Sequence, residues 1–270
     1  MERPGGLSRR ENSRHFHRAT MTTCHSSRGL RFGYFVRMGV GSLIPVHLAA
    51  CVVAALVGAS AQAGERSSAF VDASEAVPGL VVEMRYAGEH NFVGTRIDGY
   101  QRRLCLLTKP AATALAAVQR DLAEQGLGLK VFDCYRPTRA VAHFVHWAQD
   151  LADQRGKDEF YPDVDKRDLF REGYIAERSS HSRGSTVDLT LVRLADGAPA
   201  TELDMGTCFD RFSPRSWPSD TNVDTGAQAN RTLLAAAMER RGFKPYDKEW
   251  WHFTLADEPF PDTYFDFPVR

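Results

Sequence analysis

An α+β domain with a mostly antiparallel sheet flanked by helices is what this sequence predicts, on three observations. Short apolar runs with strand composition recur along the chain: Leu80 to Tyr86 (LVVEMRY), Leu129 to Cys134 (LKVFDC), Val187 to Leu194 (VDLTLVRL) and Trp250 to Leu255 (WWHFTL). Segments with helix-forming composition stand between some of them. The two kinds do not alternate regularly as βαβ units would, which points away from a doubly wound parallel sheet.

The first helix is expected over Pro110 to Gln125 (PAATALAAVQRDLAEQ), with Thr108 as a cap, Pro110 in its first turn and Gly126 just past its end. The strand ending at Cys134 is interrupted by Tyr135-Arg136-Pro137. Thr138 then caps a second helix running to about Asp150, whose apolar face uses Val141, Phe144, Val145 and Ala148. Leu151 to Ser180 is charged and turn-rich and reads as a long surface excursion. Val187 to Leu194 alternates as a strand does, with Asp188 unexpectedly close to its start. A polar loop from Asp196 to Thr225 leads to a helix over Gln228 to Arg241, ended by Gly242, and Trp250 to Leu255 closes the fold as a strand. There is no internal repeat.

Composition narrows the function. The chain has 270 residues, is 43% hydrophobic and balances 34 basic against 34 acidic residues. That excludes disordered and collagenous chains, and a zero charge balance gives no sign of nucleic-acid affinity. Residues 1–63 differ from the rest. Seven arginines from Arg9 to Arg37 meet only two acids, Glu2 and Glu11, and Met38 to Ala63 carries no charge. A basic stretch, an apolar stretch and Ala61-Gln62-Ala63 read as a secretory signal cleaved after Ala63, which predicts an exported, periplasmic protein with no membrane attachment after cleavage. Two alternatives stay open: a membrane-anchoring helix, and a lipoprotein box at Leu48-Ala49-Ala50-Cys51, which the apolar run from Val52 to Val57 disfavours. Met21 and Met38 are alternative starts. Residues 64–270 suffice for one domain with a sizeable core. They hold three cysteines, Cys105, Cys134 and Cys208. An odd number leaves one over, spacing does not say which pair, and disulfides are not expected to scaffold the fold.

Five histidines lie beyond residue 63: His90, His143, His146, His181 and His252. His143 and His146 are three apart on an expected helix, but no HExxH motif surrounds them, and a half-buried face explains them as well as a metal does. His90 is read as a loop residue. Ser179 to Asp188 (SSHSRGSTVD) differs, because it sets an imidazole and a carboxylate in a Gly-containing turn that opens a strand. That donor pair suits zinc, although a turn followed by one hydrogen-bonded acid would look the same. In Lys248 to Phe253 (KEWWHF), Glu249 and His252 offer a base and a ligand for one metal. Residues three apart in a regular strand face opposite ways. Glu249 must therefore precede the strand on a bend or be re-aimed by a bulge; otherwise the segment is an aromatic core strand. In Asp133 to Pro137 (DCYRP), Arg136 sits at a strand end before a proline-fixed turn, placed either to meet a carbonyl oxygen that gains charge in a reaction or to form a structural ion pair.

Together, SxHxxGxxxD, ExxH and the DxYRP-type turn, in the order DxYRP, SxHxxGxxxD, ExxH, resemble the zinc D,D-peptidases, and among them the D-Ala-D-Ala dipeptidases of the VanX type. The likeness runs from about Val71 to Arg270 and includes Asn91 to Gly94, Met205 to Asp210 and Tyr264 to Val269. It implies the fold shared by D,D-peptidases and the hedgehog signalling domain. It also implies one zinc per chain held by His181, Asp188 and His252, Glu249 as general base and Arg136 as the group that stabilises the oxyanion. By the same resemblance Asp210 binds the substrate's free ammonium, Tyr86 and Ser179 line the pocket, and Asp133 orients Arg136. The implied partner is a small dipeptide. The neighbouring expectation is a D,D-carboxypeptidase acting on peptidoglycan stems, which Asp210 argues against; a zinc-binding protein that has lost catalysis is disfavoured by the presence of both Glu249 and Arg136. Oligomeric state and physiological role are not legible. The leader departs from the family's resistance enzymes, which are typically cytoplasmic.

Overall fold

In the computed structural model, which describes residues 66–194 and 200–270, the chain opens with β1 (Phe70–Asp72), α1 (Ala73–Ala76), β2 (Val81–Val82), β3 (Leu106–Thr108), α2 (Lys109–Ala123) and β4 (Leu127–Asp133). It continues through α3 (Thr138–Gln149), α4 (Lys157–Phe160), β5 (Thr186–Arg193), β6 (Thr201–Glu202), α5 (Thr225–Glu239), β7 (Phe243–Tyr246) and β8 (Glu249–Leu255). The signal segment, its cleavage site at Ala63 and Cys51 lie outside the described residues.

The main sheet has the order β2-β4-β5-β8-β7, with β6 paired to β5; β1 and β3 form a separate two-stranded ribbon. Only β2 and β4 run parallel, so the sheet is mostly antiparallel as the sequence predicts. β4 and β5 are central and buried along nearly their whole length. Both faces of β5 are therefore covered, and its alternate polar residues, Thr186, Asp188 and Thr190, are buried as well. α2 presents Ala111, Leu115, Val118 and Leu122 at helical spacing and packs on β4, while α5 packs on β7 and beside α2. Val187, Leu189 and Leu191 are fully buried along β5, leaving the alternate positions, Asp188 among them, for the opposite face.

Several local expectations change. The LVVEMRY run is a strand only at Val81–Val82. After Glu83, whose N–H still bonds the Val131 carbonyl, the chain leaves the sheet and turns through a 3-10 helix at Arg85–Ala87 that buries Tyr86. Thr108 occupies the position before α2 but does not cap it, because its hydroxyl pairs with Ser185 Oγ at 2.7 Å. Thr138 is the first residue of α3 and not its cap; Pro137 precedes it. α5 starts before Gln228 and is capped by Asp224, whose carboxylate accepts from the Ala227 N–H. The stretch 151–180 is more than a surface excursion: Phe160, Tyr161 and Leu169 are buried, with Tyr161 packed edge-on against Trp147 at 5.5 Å. Lys166 is buried as well, its ammonium donating to the carbonyls of Asp150 and Asp153.

Cys105 and Cys134 form a disulfide across 29 residues, joining the start of β3 to the end of β4. Closing a loop of that length contributes roughly 3 to 4 kcal/mol in the chain-entropy account. Cys208 takes no part in this pair.

Candidate active site

Three neighbouring strands bring three of the expected residues into one row. Asp133 on β4 pairs with Asp188 on β5, and Asp188 pairs with His252 on β8. Side chains directly opposite on adjacent strands share a face, so all three project from the face left open by α2 and α5. His181 arrives from a 3-10 turn, Ser180–Arg183, just before β5. Gly184 ends that turn at φ 84°, and a Cβ there would overlap the Phe70 ring, so only glycine lets the chain swing directly into β5.

His181 Nε2, Asp188 Oδ1 and His252 Nδ1 form a nearly equilateral triangle with edges of 3.2, 3.1 and 3.3 Å. A tetrahedral zinc centre with bonds of about 2.0–2.1 Å requires ligand-to-ligand edges of about 3.3 Å, so the donor set fits the metal. Asp188 Oδ1 is buried and accepts no hydrogen bond, as a carboxylate oxygen facing a cation would. Among the described residues this is the cluster of His, Cys, Asp and Glu arranged to hold a metal ion. The remaining ring nitrogens fix the tautomers. His181 Nδ1–H donates to the Cys134 carbonyl at 2.7 Å, and His252 Nε2 lies 3.2 Å from Ser180 Oγ, leaving the other nitrogen of each ring turned inward. Burial alone would raise the Asp188 carboxyl, but His181 and His252 outweigh it and hold it well below the usual carboxylate range.

Glu249 opens β8, and its Oε2 stands 3.5 Å from His252 Nδ1. The geometric objection to an ExxH pair in a strand is answered here by a register shift: Tyr246 pairs with Glu249 whereas Pro245 pairs with Phe253. The extra residues on β8 turn Glu249 onto the face of His252. Desolvation pushes its carboxyl up, Asp188 adds to this, and His252 and Arg136 oppose it.

Arg136 follows β4 and reaches over the row. Its Nε donates to Asp133 Oδ2 at 2.9 Å, its guanidinium lies 3.7 Å from Asp188 Oδ2, and the Tyr86 and Phe144 rings flank it at 5.0 and 5.1 Å. Asp133 is fully buried and also accepts from the Tyr100 hydroxyl at 2.6 Å, so Arg136 is gripped by an acid that is itself fixed. Ser179 Oγ accepts from the His181 N–H at 3.3 Å and lies 3.4 Å from Arg136. The turn of Arg136 and the turn of His181 are further joined by the Arg136 N–H to the His181 carbonyl.

Asp210 is buried and accepts from the Tyr86 hydroxyl at 2.8 Å. Burial raises its carboxyl well above the usual range and the charge of Asp188 raises it further, against the Tyr86 hydrogen bond and Arg136. Asp210, Tyr86, Ser179, Arg136, Glu249 and the triangle of His181, Asp188 and His252 line one cavity of about 390 Å³, with Phe92, Phe144 and Phe212 as its apolar wall, while Asp133 stays buried outside it. That size and mixture of surfaces suit a small polar ligand.

The structure therefore gathers all nine residues singled out in the sequence: His181, Asp188, His252, Glu249, Arg136, Asp210, Tyr86, Ser179 and Asp133. It leaves out the rival histidine pair. His143 accepts from the Asp98 N–H at 3.2 Å and His146 is exposed, while His90 bonds Arg85 and Glu159 at the surface. Tyr100, Ser180 and the Cys134 carbonyl were not foreseen as supports. Ser180 stands inside the motif and was within reach; nothing local marks Tyr100.

A family profile described as “D-ala-D-ala dipeptidase” matches residues 66–270. The chain belongs to this family. The family includes the D-alanyl-D-alanine dipeptidase of Enterococcus faecium, to which the chain is 40% identical over 201 residues, 74% of this chain and 98% of that protein. The D-alanyl-D-alanine dipeptidase of Streptomyces coelicolor is 43% identical over 201 residues, covering 74% and 97%. That of Escherichia coli is 37% identical over 185 residues, covering 68% and 83%. In this member of the D-Ala-D-Ala dipeptidase family, His181, Asp188, His252, Glu249 and Arg136 line one cavity.

Proposed function

We propose that this chain is a zinc-dependent dipeptidase that hydrolyses D-Ala-D-Ala to two molecules of D-alanine, with one zinc ion per chain. The observation that carries it is the triangle of His181 Nε2, Asp188 Oδ1 and His252 Nδ1, whose edges fit a tetrahedral metal, beside the Glu249 carboxylate and the half-buried Arg136 guanidinium. The names of the relatives supply the substrate class.

Zinc at that triangle would polarise the scissile carbonyl and lower the pKa of water towards about 7. The chain's own residues supply the rest. Glu249 takes the proton of the attacking water and returns it to the leaving amine, a task suited to a carboxyl raised towards neutrality. Arg136, held by Asp133, faces the carbonyl oxygen as it gains negative charge, and a fixed donor of this kind is typically worth roughly 3 to 4 kcal/mol in the transition state. Asp210 meets the substrate's ammonium. A buried carboxylate destabilised by its surroundings gains most when a cation arrives, so the site favours a free dipeptide over an acylated chain.

Metal analysis of the purified protein should find about one zinc per chain, as expected for one three-ligand centre. His181→Ala, Asp188→Ala and His252→Ala should each lose zinc and D-Ala-D-Ala turnover together, and His143→Ala should keep both. Full zinc retention in the His181 and His252 variants would contradict the ligand set.

Export is part of the same proposal. The buried Cys105–Cys134 disulfide supports it, since such bonds persist in oxidising compartments. Protein recovered from a periplasmic fraction should begin at Gly64; a product confined to the cytoplasm with its leader intact would overturn it.

A further inference from the structure

Asp210 needs support to hold its position. It is the one non-glycine residue with positive φ among the described residues, at 61°. That conformation is uncommon for side chains other than Asn and Asp and persists only where the surroundings impose it. The single side-chain hydrogen bond recorded to its carboxylate is from Tyr86. The segment that carries it is held from outside the cavity.

That support is Arg231, which lies on α5 and does not line the cavity. It is 3% exposed, and its guanidinium donates to three main-chain carbonyls of the Asp210 segment: Nε to Met205 at 2.7 Å, one terminal nitrogen to Trp217 at 2.9 Å, and the other to Arg215 at 2.8 Å. Met205 precedes Asp210, and Arg215 and Trp217 follow it, so one rigid fork spans the segment from both sides. Burial lowers the Arg231 pKa to about 10, so the cation is retained at neutral pH and its hydrogen bonds are charge-assisted. Smaller bonds complete the frame: Ser216 Oγ donates to the Arg211 carbonyl at 2.7 Å, and Trp250 Nε1 donates to Thr207 Oγ1 at 2.8 Å. Gly206, at φ 79°, leaves no room for a Cβ, which would stand 2.7 Å from Val223 Cγ1.

We propose that Arg231 is a positioning residue for substrate selectivity: by clamping both ends of the segment 205–217 it places the Asp210 carboxylate where the substrate's ammonium lands. The proposal rests on the reading of Asp210 as the ammonium partner. A methionine in place of Arg231 fills similar volume but leaves three carbonyls without their donor, and a lysine supplies a cation without the planar fork.

The test compares kcat/KM for free and N-acetylated D-Ala-D-Ala in the wild type, Arg231→Met, Arg231→Lys and Gly206→Ala. Displacement of a binding group by about 1 Å typically costs on the order of a hundredfold. Arg231→Met should therefore lower the free-to-acetylated ratio by roughly ten- to a hundredfold, through KM for the free dipeptide, with zinc content and turnover of the acetylated substrate kept. Arg231→Lys should recover part of the ratio. Gly206→Ala moves the same segment by a separate route and should lower the ratio too, which keeps the test decisive if Arg231→Met does not fold. An unchanged ratio in folded variants, or equal losses on both substrates, would overturn the positioning role while leaving the dipeptidase reading intact. A wild-type enzyme with no preference for the free amine would overturn both.

Discussion

Glu249→Ala is expected to cut D-Ala-D-Ala turnover by roughly 10²- to 10⁴-fold, the range spanned by a positioned general acid or base, while zinc content and thermal stability stay close to wild type. The residue opens β8 where the pairing with β7 slips, and its side chain is 22% exposed, so truncation opens no void in the core. None of the three clustered donor atoms belongs to it. What disappears is one carboxylate 3.5 Å from His252 Nδ1, and with it the proposed relay from water to leaving amine. Arg136 and the metal-binding triangle remain to bind and polarise the substrate, so KM should move much less than kcat. A variant that kept more than about a tenth of wild-type turnover, well outside the range for a general base, would remove Glu249 from the chemistry.

Asp210→Asn is expected to lower kcat/KM for the free dipeptide by roughly thirtyfold to several-thousandfold, because losing one partner of a buried charged contact costs about 2 to 5 kcal/mol. Asparagine is the informative replacement. It tolerates the positive φ of 61° at this position and can still receive the Tyr86 hydroxyl, so the segment keeps its shape and only the charge is lost. The loss should fall on the free dipeptide; an N-acetylated substrate, which brings no cation, should lose little. Equal losses on the two substrates would mean that Asp210 supports the pocket's shape and not the recognition of an amine.

Much of this site was legible in the sequence because its residue types are chemically unusual where they stand. An acid near the start of an apolar strand, Asp188, and a histidine inside an aromatic one, His252, both contradict simple core packing. Glu249 was recognisable by type and its orientation was not, since the register slip that re-aims it arises from the pairing of two strands. The cross-strand row of Asp133, Asp188 and His252 is likewise a property of register. The strand is shorter than the apolar run: Val81 and Val82 pair, whereas Tyr86 is buried from the 3-10 turn that follows, against the Phe92, Tyr100 and Phe144 rings. Thr108 and Thr138 look like caps in sequence; the tertiary partner Ser185 takes the Thr108 hydroxyl, and α3 starts at Thr138 itself, which leaves Pro137 in the capping position. The pairing of Cys105 with Cys134 could not be read from spacing, because it depends on β3 and β4 lying side by side at their ends. Arg231 gave no signal at all; on a helix it reads as a surface cation, and only the fold shows three carbonyls converging on it.

The most direct test of the account is the wild-type protein with two substrates, free D-Ala-D-Ala and N-acetyl-D-Ala-D-Ala, compared by kcat/KM before and after removal of zinc. A buried Asp210 left without its counter-charge should make the acetylated compound the poorer substrate by roughly thirtyfold or more. Both activities should vanish on chelation and return with zinc. Comparable kcat/KM for the two substrates would contradict the dipeptidase reading and put a carboxypeptidase in its place, and turnover that survived complete loss of zinc would contradict the metal centre itself.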